Sequence, residues 1–208
     1  MMAHPGIDLT QSVSRETLER LERFASLVTR WNPAVNLVSR ASLAYLWERH
    51  IADSAQIFPL RPQAAHRWVD LGSGGGFPGI VVAILAREQA PEMTVSLVES
   101  DQRKAAFLRE ASRLLELRTD ILCERVDIIP HLAADVISAR ALAPLSALCD
   151  MASRHLKPEG IALFMKGRGY AAELEEAKAE WRFDCTITPS TTEEGAAILR
   201  ISFPRKAD

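Results

Sequence analysis

Five glycines fall within eight residues of one apolar run, "VDLGSGGGFPGI" (Val69–Ile80). A strand that ends at Asp70-Leu71, a turn from Gly72 to Gly76 and a helix opening near Pro78 would aim backbone N–H groups and a helix dipole at a polar or anionic ligand. Gly74, Gly76 and Gly79 satisfy G-x-G-x-x-G, which suits a dinucleotide. Asp70 with Gly72, Gly74 and Gly76 satisfies D-x-G-x-G-x-G, which suits S-adenosylmethionine. Glu99 in "SLVES" ends the next strand, where one carboxylate can accept from both hydroxyls of a ribose. These residues leave the two ligands open, because both contain an adenosine ribose.

Further polar groups follow the same strand-end logic. Asp127 in "ERVDI" follows a third strand, at the adenine end of such a site. Arg140, closing "DVISAR", offers a planar fork for a carboxylate or a phosphate. Lys166 and Arg168 flank Gly167 in "MKGRG", at the sheet edge where ligands of doubly wound sheets lie, and are read as RNA phosphate contacts. His50 and Asp53 of "RHIADS" stand three apart on a helix and share a face. Cys123, Cys149 and Cys185 have neither disulfide-framework nor metal-ligand spacing, so they read as small core residues and no metal is expected.

The elements that must hold these groups divide in two. Leu18, Leu21, Phe24, Ala25, Val28 and Trp31 recur at helical spacing behind Ser14, and Asn32-Pro33 is expected to stop that helix. "ASLAYLWERHIADSAQIF" then resumes a helical pattern up to "PLRP". From residue 66 onward, strand-like runs ("RWVDL", "TVSLVE", "ILCERV", "DVISAR", "IALFMK") alternate with helical ones, Gln102–Leu115 being the clearest. "FDCTIT" and "AAILRISF" close the chain with no helical pattern between them. The expected fold is therefore α/β: a Rossmann-like class I methyltransferase fold whose mostly parallel sheet is closed by an antiparallel C-terminal hairpin. A helical extension at residues 1–62 precedes the cofactor-binding domain at residues 63–208.

With 48% hydrophobic and 25% charged residues, the 208-residue chain has an ordinary globular composition, which excludes long disorder. "MMAHPGIDLTQ" has no basic-then-apolar leader and no apolar run reaches bilayer length, so a cytoplasmic protein without membrane association is expected. A net charge of -2 argues against a nucleic-acid binder that relies on bulk positive charge, and leaves room for a local basic patch.

"WNPAVNLVSR", "WERHIADS", "GSGGGFPGI", "ISARALAPL" and "MKGRG" occur in an order and spacing that resemble the bacterial rRNA small subunit methyltransferase G family, also called glucose-inhibited division protein B. The resemblance runs from about Leu21 to Gly169. It implies methyl transfer from S-adenosylmethionine to N7 of guanine 527 in the 530 loop of 16S rRNA, with the small ribosomal subunit as the expected substrate; the sequence leaves the oligomeric state open, with a monomer favoured. Carried onto this sequence, it places Gly72 and Phe77 against the cofactor, Val126 and Asp127 at its adenine end, and Arg140 near its methionine part or the substrate. Asp127 stands where the family often has Glu, which keeps the carboxylate and shortens its reach.

Guanine N7 carries an in-plane lone pair and no proton, so this reaction needs no general base, and none is expected. Arg140 and His50 are the positioning candidates. The absence of a Pro-Pro-aromatic motif after the fourth strand, and of a Pro-Cys context, disfavours exocyclic amine and pyrimidine-carbon targets. Two other readings fit the residues: a ribosome-assembly factor that binds without turnover, and an NAD-linked oxidoreductase built on the overlapping glycine motif.

Overall fold

The computed structural model describes residues 9–207. Residues 1–8, on which the reading of the leader rests, lie outside them. A short α1 (Leu9–Ser12) leads into α2 (Arg15–Val35). Ser14 caps α2 by accepting from Thr17 N–H at 3.2 Å, and its own N–H and hydroxyl reach Glu88. Leu21, Phe24 and Val28 form its buried stripe.

Pro33 does not stop the helix as the sequence suggests. It sits in the last turn, where its missing N–H forfeits one hydrogen bond, and the chain runs on to Val35. Asn36 ends α2 at φ 54°, its N–H donating to the Asn32 carbonyl at 2.9 Å. The Asn32 side-chain oxygen then accepts from Val38 N–H at 2.8 Å, fixing the exit.

The expected helix over residues 41–58 is broken into pieces: α3 (Arg40–Leu43), a π-helical turn (Trp47–Ala52), α4 (Asp53–Ala55) and a 3-10 turn (Phe58–Leu60). Wider π turns are rare and gather at functional sites. Here the turn is "WERHIA", and it carries Arg49 and His50.

Seven strands follow: β1 (Arg67–Leu71), β2 (Thr94–Val98), β3 (Thr119–Leu122), β4 (Ala134–Arg140), β5 (Leu156–Lys166), β6 (Trp181–Pro189) and β7 (Ala197–Lys206). Between them lie α5 (Gly79–Gln89), α6 (Gln102–Leu114), α7 (Leu145–His155) and α8 (Tyr170–Glu180). The sheet order is β3-β2-β1-β4-β5-β7-β6, parallel except where β7 pairs antiparallel with β5 and β6. The reversal of strand order between β1 and β4 opens the crevice in which such sheets bind ligands.

Each strand's side chains alternate between two cores. Trp68, Val136 and Leu163 pack with Ile80, Ile84, Phe107 and the Leu21-Phe24-Val28 stripe. Val69, Ile137 and Phe164 pack with Leu145, Leu148, Cys149 and Leu174 on the other side. The helical extension thus shares one hydrophobic core with the sheet, and no break in packing falls at residue 62. Phe24 is fully buried against Phe77 and Phe107, with ring centroids 5.2 and 6.4 Å away. Truncating such a ring costs about 3–5 kcal/mol, so the extension is integral to stability. Cys149 is buried and burial pushes its thiol up to about 12, whereas Cys123 and Cys185 are only partly covered; all three are free. Among the described residues, no helix is long and apolar enough to cross a membrane.

Candidate active site

The glycine loop leaves β1 with Gly72, Gly74 and Gly76 at φ 65°, 54° and 87°, values that side chains resist. Most of the crowding around these glycines comes from the protein itself. A Cβ on Gly72 would lie 2.5 Å from Leu142 Cδ1, and one on Gly79 would strike Leu97 and come within 2.6 Å of Asp70 Oδ2. Gly74 differs, because the nearest atom to its missing Cβ is the Gly72 carbonyl at 3.7 Å. Its open face is the one available to a ligand.

Asp70 works behind the loop. Fully buried, it accepts from Ser138 Oγ at 2.6 Å and from Gly79 N–H at 3.2 Å, tying the start of α5 to β4. Burial raises its carboxyl to about 6, against the opposing pull of the Ser138, Ser73 and Gly79 hydrogen bonds and of Arg140. Glu99 works in front. It is 8% exposed; Oε2 accepts from Gly74 N–H and Oε1 from Asp101 N–H, each at 2.8 Å. A carboxylate offers about four lone-pair sites, so about two remain for a ligand's hydroxyls.

Beside the loop lies a cleft of about 600 Å³ lined by Gly72–Gly75, Phe77, Arg49, His50, Asp53, Lys104 and Arg140, among others. Arg140 is its hub. Nη1 donates to Asp53 Oδ2 at 3.2 Å and to the Arg49 carbonyl at 3.1 Å, Nη2 meets His50 Nδ1 at 2.7 Å, and the guanidinium carbon stands 5.3 Å from the Phe77 ring centroid. Burial lowers its pKa and Asp53 opposes that shift, so it stays charged.

His50 must accept at Nδ1 and therefore carries its proton on Nε2, which is buried and unpartnered among the described residues. Burial first, then the charges of Arg140 and Arg49, lower its pKa to about 4. The imidazole is therefore neutral and a poor base near neutral pH, and Asp70 lies fully buried behind the loop. Among the described residues, no group of three His, Cys, Asp or Glu side chains could hold a metal.

The other oxygen of Asp53 is engaged from far along the chain. Gln56 donates to Asp53 Oδ1 at 2.7 Å and to Ser190 Oγ at 3.2 Å, and its carbonyl accepts from Thr191 N–H at 2.9 Å. Thr192 Oγ1 donates to the same Asp53 oxygen at 2.6 Å. The β6–β7 loop is thereby fixed over the cleft with Glu193 in its lining.

The expected site residues do not all converge. Gly72, Gly74, Phe77, His50, Asp53, Arg140 and Lys166 line the cleft, and Glu99 touches its floor through Gly74. Val126 and Asp127 lie on the turn after β3 and are not among the lining residues of the cleft. The Val126 carbonyl accepts from His155 Nε2 at 3.1 Å, and the Asp127 carboxylate is clasped by Arg125 through two 3.0 Å bonds. Lys166 departs most from expectation. Its side chain is 10% exposed, with Nζ 2.6 Å from Glu173 Oε2 and 3.1 Å from the Ala143 carbonyl. That oxygen of Glu173 also accepts from Leu145 N–H at 2.9 Å, so Lys166 fastens β5 to α7 and α8 instead of standing free for a phosphate. Arg168 is exposed and donates through Nε to the Glu194 carbonyl at 3.1 Å, outside the cleft wall.

Arg49, Gln56, Lys104, Ala141, Leu142 and Glu193 were not singled out from the sequence. Gln56 alone gave a local signal, because it stands three residues after Asp53 on a helical pattern.

A sheet ordered 3-2-1-4-5-7-6, with a glycine loop after β1 and an acid after β2, defines a Rossmann-like class I methyltransferase fold. The chain is similar in structure to the mitomycin 7-O-methyltransferase, with a TM-score of 0.59 at 16% identity over 93% of this chain and 69% of that one. It also resembles the T. thermophilus 16S rRNA N2 G1207 methyltransferase solved with AdoMet and guanosine, with a TM-score of 0.55 at 14% identity over 74% and 40%. The model of the rRNA small subunit methyltransferase G family matches residues 17–199, and the chain belongs to that family. Members of that name from Cereibacter sphaeroides and Gluconobacter oxydans are 53% and 50% identical, covering 91% and 92% of this chain and 91% and 96% of theirs.

Proposed function

We propose that the chain methylates 16S rRNA with S-adenosylmethionine, at N7 of guanine 527 in the 530 loop, acting as a cytoplasmic monomer on the small ribosomal subunit. One observation carries the reading: a glycine loop whose open residue, Gly74, is held by Glu99 floors a cleft lined by Arg49, Lys104 and Arg140, in a chain of this family.

The residues present fit the cofactor. Glu99, with both oxygens oriented by backbone N–H groups, would hold the ribose hydroxyls. Leu142, which packs on Gly72, and the turn that carries Val126 and Asp127 would flank the adenine beyond the lining of the cleft. Arg140, Phe77 and the loop backbone would surround the methionine end. S-adenosylmethionine, when bound, supplies a methyl made electrophilic by its sulfonium and keeps the carbon–sulfur bonding pair as the methyl leaves.

The protein's part is to orient. Guanine N7 has no proton to lose, which agrees with a cleft whose histidine is neutral and whose one carboxylic acid of raised pKa is sealed. Holding the reacting atoms near contact supplies about 7–11 kcal/mol. Arg49 and Lys104 line the cleft without a carboxylate partner among the described residues and would meet RNA phosphates. Arg168 would meet a phosphate farther out, while Lys166 would keep the β5 edge in place.

Incubation with radiolabelled S-adenosylmethionine and small subunits lacking N7-methylguanine tests the reading, with reduction and strand scission to locate the label. A single cut in the 530 loop is expected. Cofactor binding with no label in the RNA would refute it.

A further inference from the structure

Three carboxylates line the cleft, and two are already committed. Asp53 takes Arg140, Gln56 and Thr192; Glu173 takes Lys166 and Leu145 N–H. Glu193 is exposed, and among the described residues no cation or donor pairs with its carboxylate. A free negative charge at the mouth of a cleft for a polyanion repels that ligand unless it meets donors there.

Guanine presents those donors. Its N1–H and N2–H lie side by side on the edge away from N7, spaced as a fork that a carboxylate can accept from with both oxygens. No other RNA base shows two adjacent donors on that edge: adenine and cytosine each place a ring acceptor beside their amine, and uracil flanks its one N–H with carbonyls. A methyl on N7 leaves the purine positively charged, so the same carboxylate also stabilises the charge as it develops.

Glu193 has the fixed base such a role requires. Its N–H donates to Ser190 Oγ at 3.2 Å, its carbonyl accepts from Ala196 N–H at 3.2 Å, and Gln56, 6% exposed, anchors the turn through Ser190 and Thr191.

Resting on the guanine-methylating reading above, we propose that Glu193 is a specificity-determining residue that accepts from N1–H and N2–H of the target guanine, and that Gln56 is its positioning residue. The test crosses Glu193→Ala and Glu193→Gln with small subunits reconstituted from RNA carrying guanine or inosine at the target. Inosine keeps N7 and N1–H and lacks the N2 amine.

For the wild type, kcat/KM should fall about 10-fold or more from guanine to inosine, as for one lost hydrogen bond to a charged group. Glu193→Ala should lose about 10–100-fold on guanine and treat both bases alike, with Glu193→Gln between. Cofactor affinity and melting temperature should stay at wild-type values, because Glu193 is exposed and its backbone bonds are kept. An alanine variant as active as wild type on guanine, or one that still discriminates against inosine as wild type does, would overturn the assignment. Wild-type protein that labels neither substrate would overturn the methyl-transfer reading itself, and this one with it.

Discussion

Arg140→Lys keeps the charge at the end of β4 and removes the fork. The guanidinium reaches three acceptors at once, Asp53 Oδ2, the Arg49 carbonyl and His50 Nδ1, with 19% of the side chain exposed. A lysine ammonium is one nitrogen on a thin stem and can keep the Asp53 pair, leaving the other two acceptors short of a donor in a partly buried setting. At about 1–2 kcal/mol for each unmet acceptor the variant loses about 2–4 kcal/mol. For a chain of this size that is a fall of about 5–15 °C in melting temperature.

The damage should be concentrated where the fork acts. Amide exchange should quicken over residues 47–56, the π turn and α4, and much less over β1 and β4, whose ladder bonds are made by backbone groups that the substitution keeps. Since the same segment forms one wall of the cleft, a displacement of about 1 Å would lower kcat/KM by about 100-fold. Differential scanning calorimetry and hydrogen exchange read the two effects separately. A lysine variant that melts within 1 °C of wild type, with unchanged exchange over residues 47–56, would show that the fork does not hold this wall.

Glu99→Ala removes the acceptor for Gly74 and Asp101 N–H together, and calorimetry should show S-adenosylmethionine affinity falling about 10–100-fold; unchanged affinity would remove the ribose assignment. Asp70 and His50 predict opposite pH slopes. Because burial raises the folded pKa of Asp70 to about 6, the folded state binds more protons than the unfolded between about pH 4 and 6, and stability falls as pH rises through that window, by about 3 kcal/mol. Measured by urea unfolding, the stability of wild type minus that of Asp70→Asn should decline by that amount from pH 4 to 6, and a flat difference would refute the buried charge. His50 has a folded pKa lowered to about 4, so its contribution is complete above about pH 6.5 and is lost as pH falls toward 4. Wild type minus His50→Gln should therefore slope the other way, and a difference independent of pH would show that His50 titrates normally.

What the sequence disclosed was what short-range pattern encodes. "RWVDL" became β1 without adjustment, Gln102 opens α6 where the periodicity puts it, and the last two runs pair as the hairpin that closes the sheet. The place of Glu99 beside the glycine turn is legible, because an acid ending the strand next to β1 in a parallel sheet comes to lie against the loop that leaves β1. The third strand was read too late: "ILCERV" predicts residues 121–126, and the strand is Thr119–Leu122. It is an edge strand, with every position half-covered or exposed, so no strict alternation marked it. Lys166 stands at the strand end that the sequence predicts, but its pairing with Glu173 is not legible there, because the partner sits one helix turn into the next element. Gln56 and Thr191 lie 135 residues apart, and nothing local to either predicts their meeting.

The net charge of -2 weighed against RNA, and the cleft shows why bulk charge is a poor guide. Of its four lining cations, Arg140 and Lys166 are spent on Asp53 and Glu173, each pair partly buried and each fastening a strand end to a helix. Those pairs contribute less to the field felt by a ligand than free cations would, since each charge has its opposite at contact distance. Arg49, Lys104 and Glu193 remain, two cations and one anion on separate elements. The paired charges hold the walls of the cleft together, so a chain acidic overall can still carry two unpaired cations beside one unpaired carboxylate in that lining.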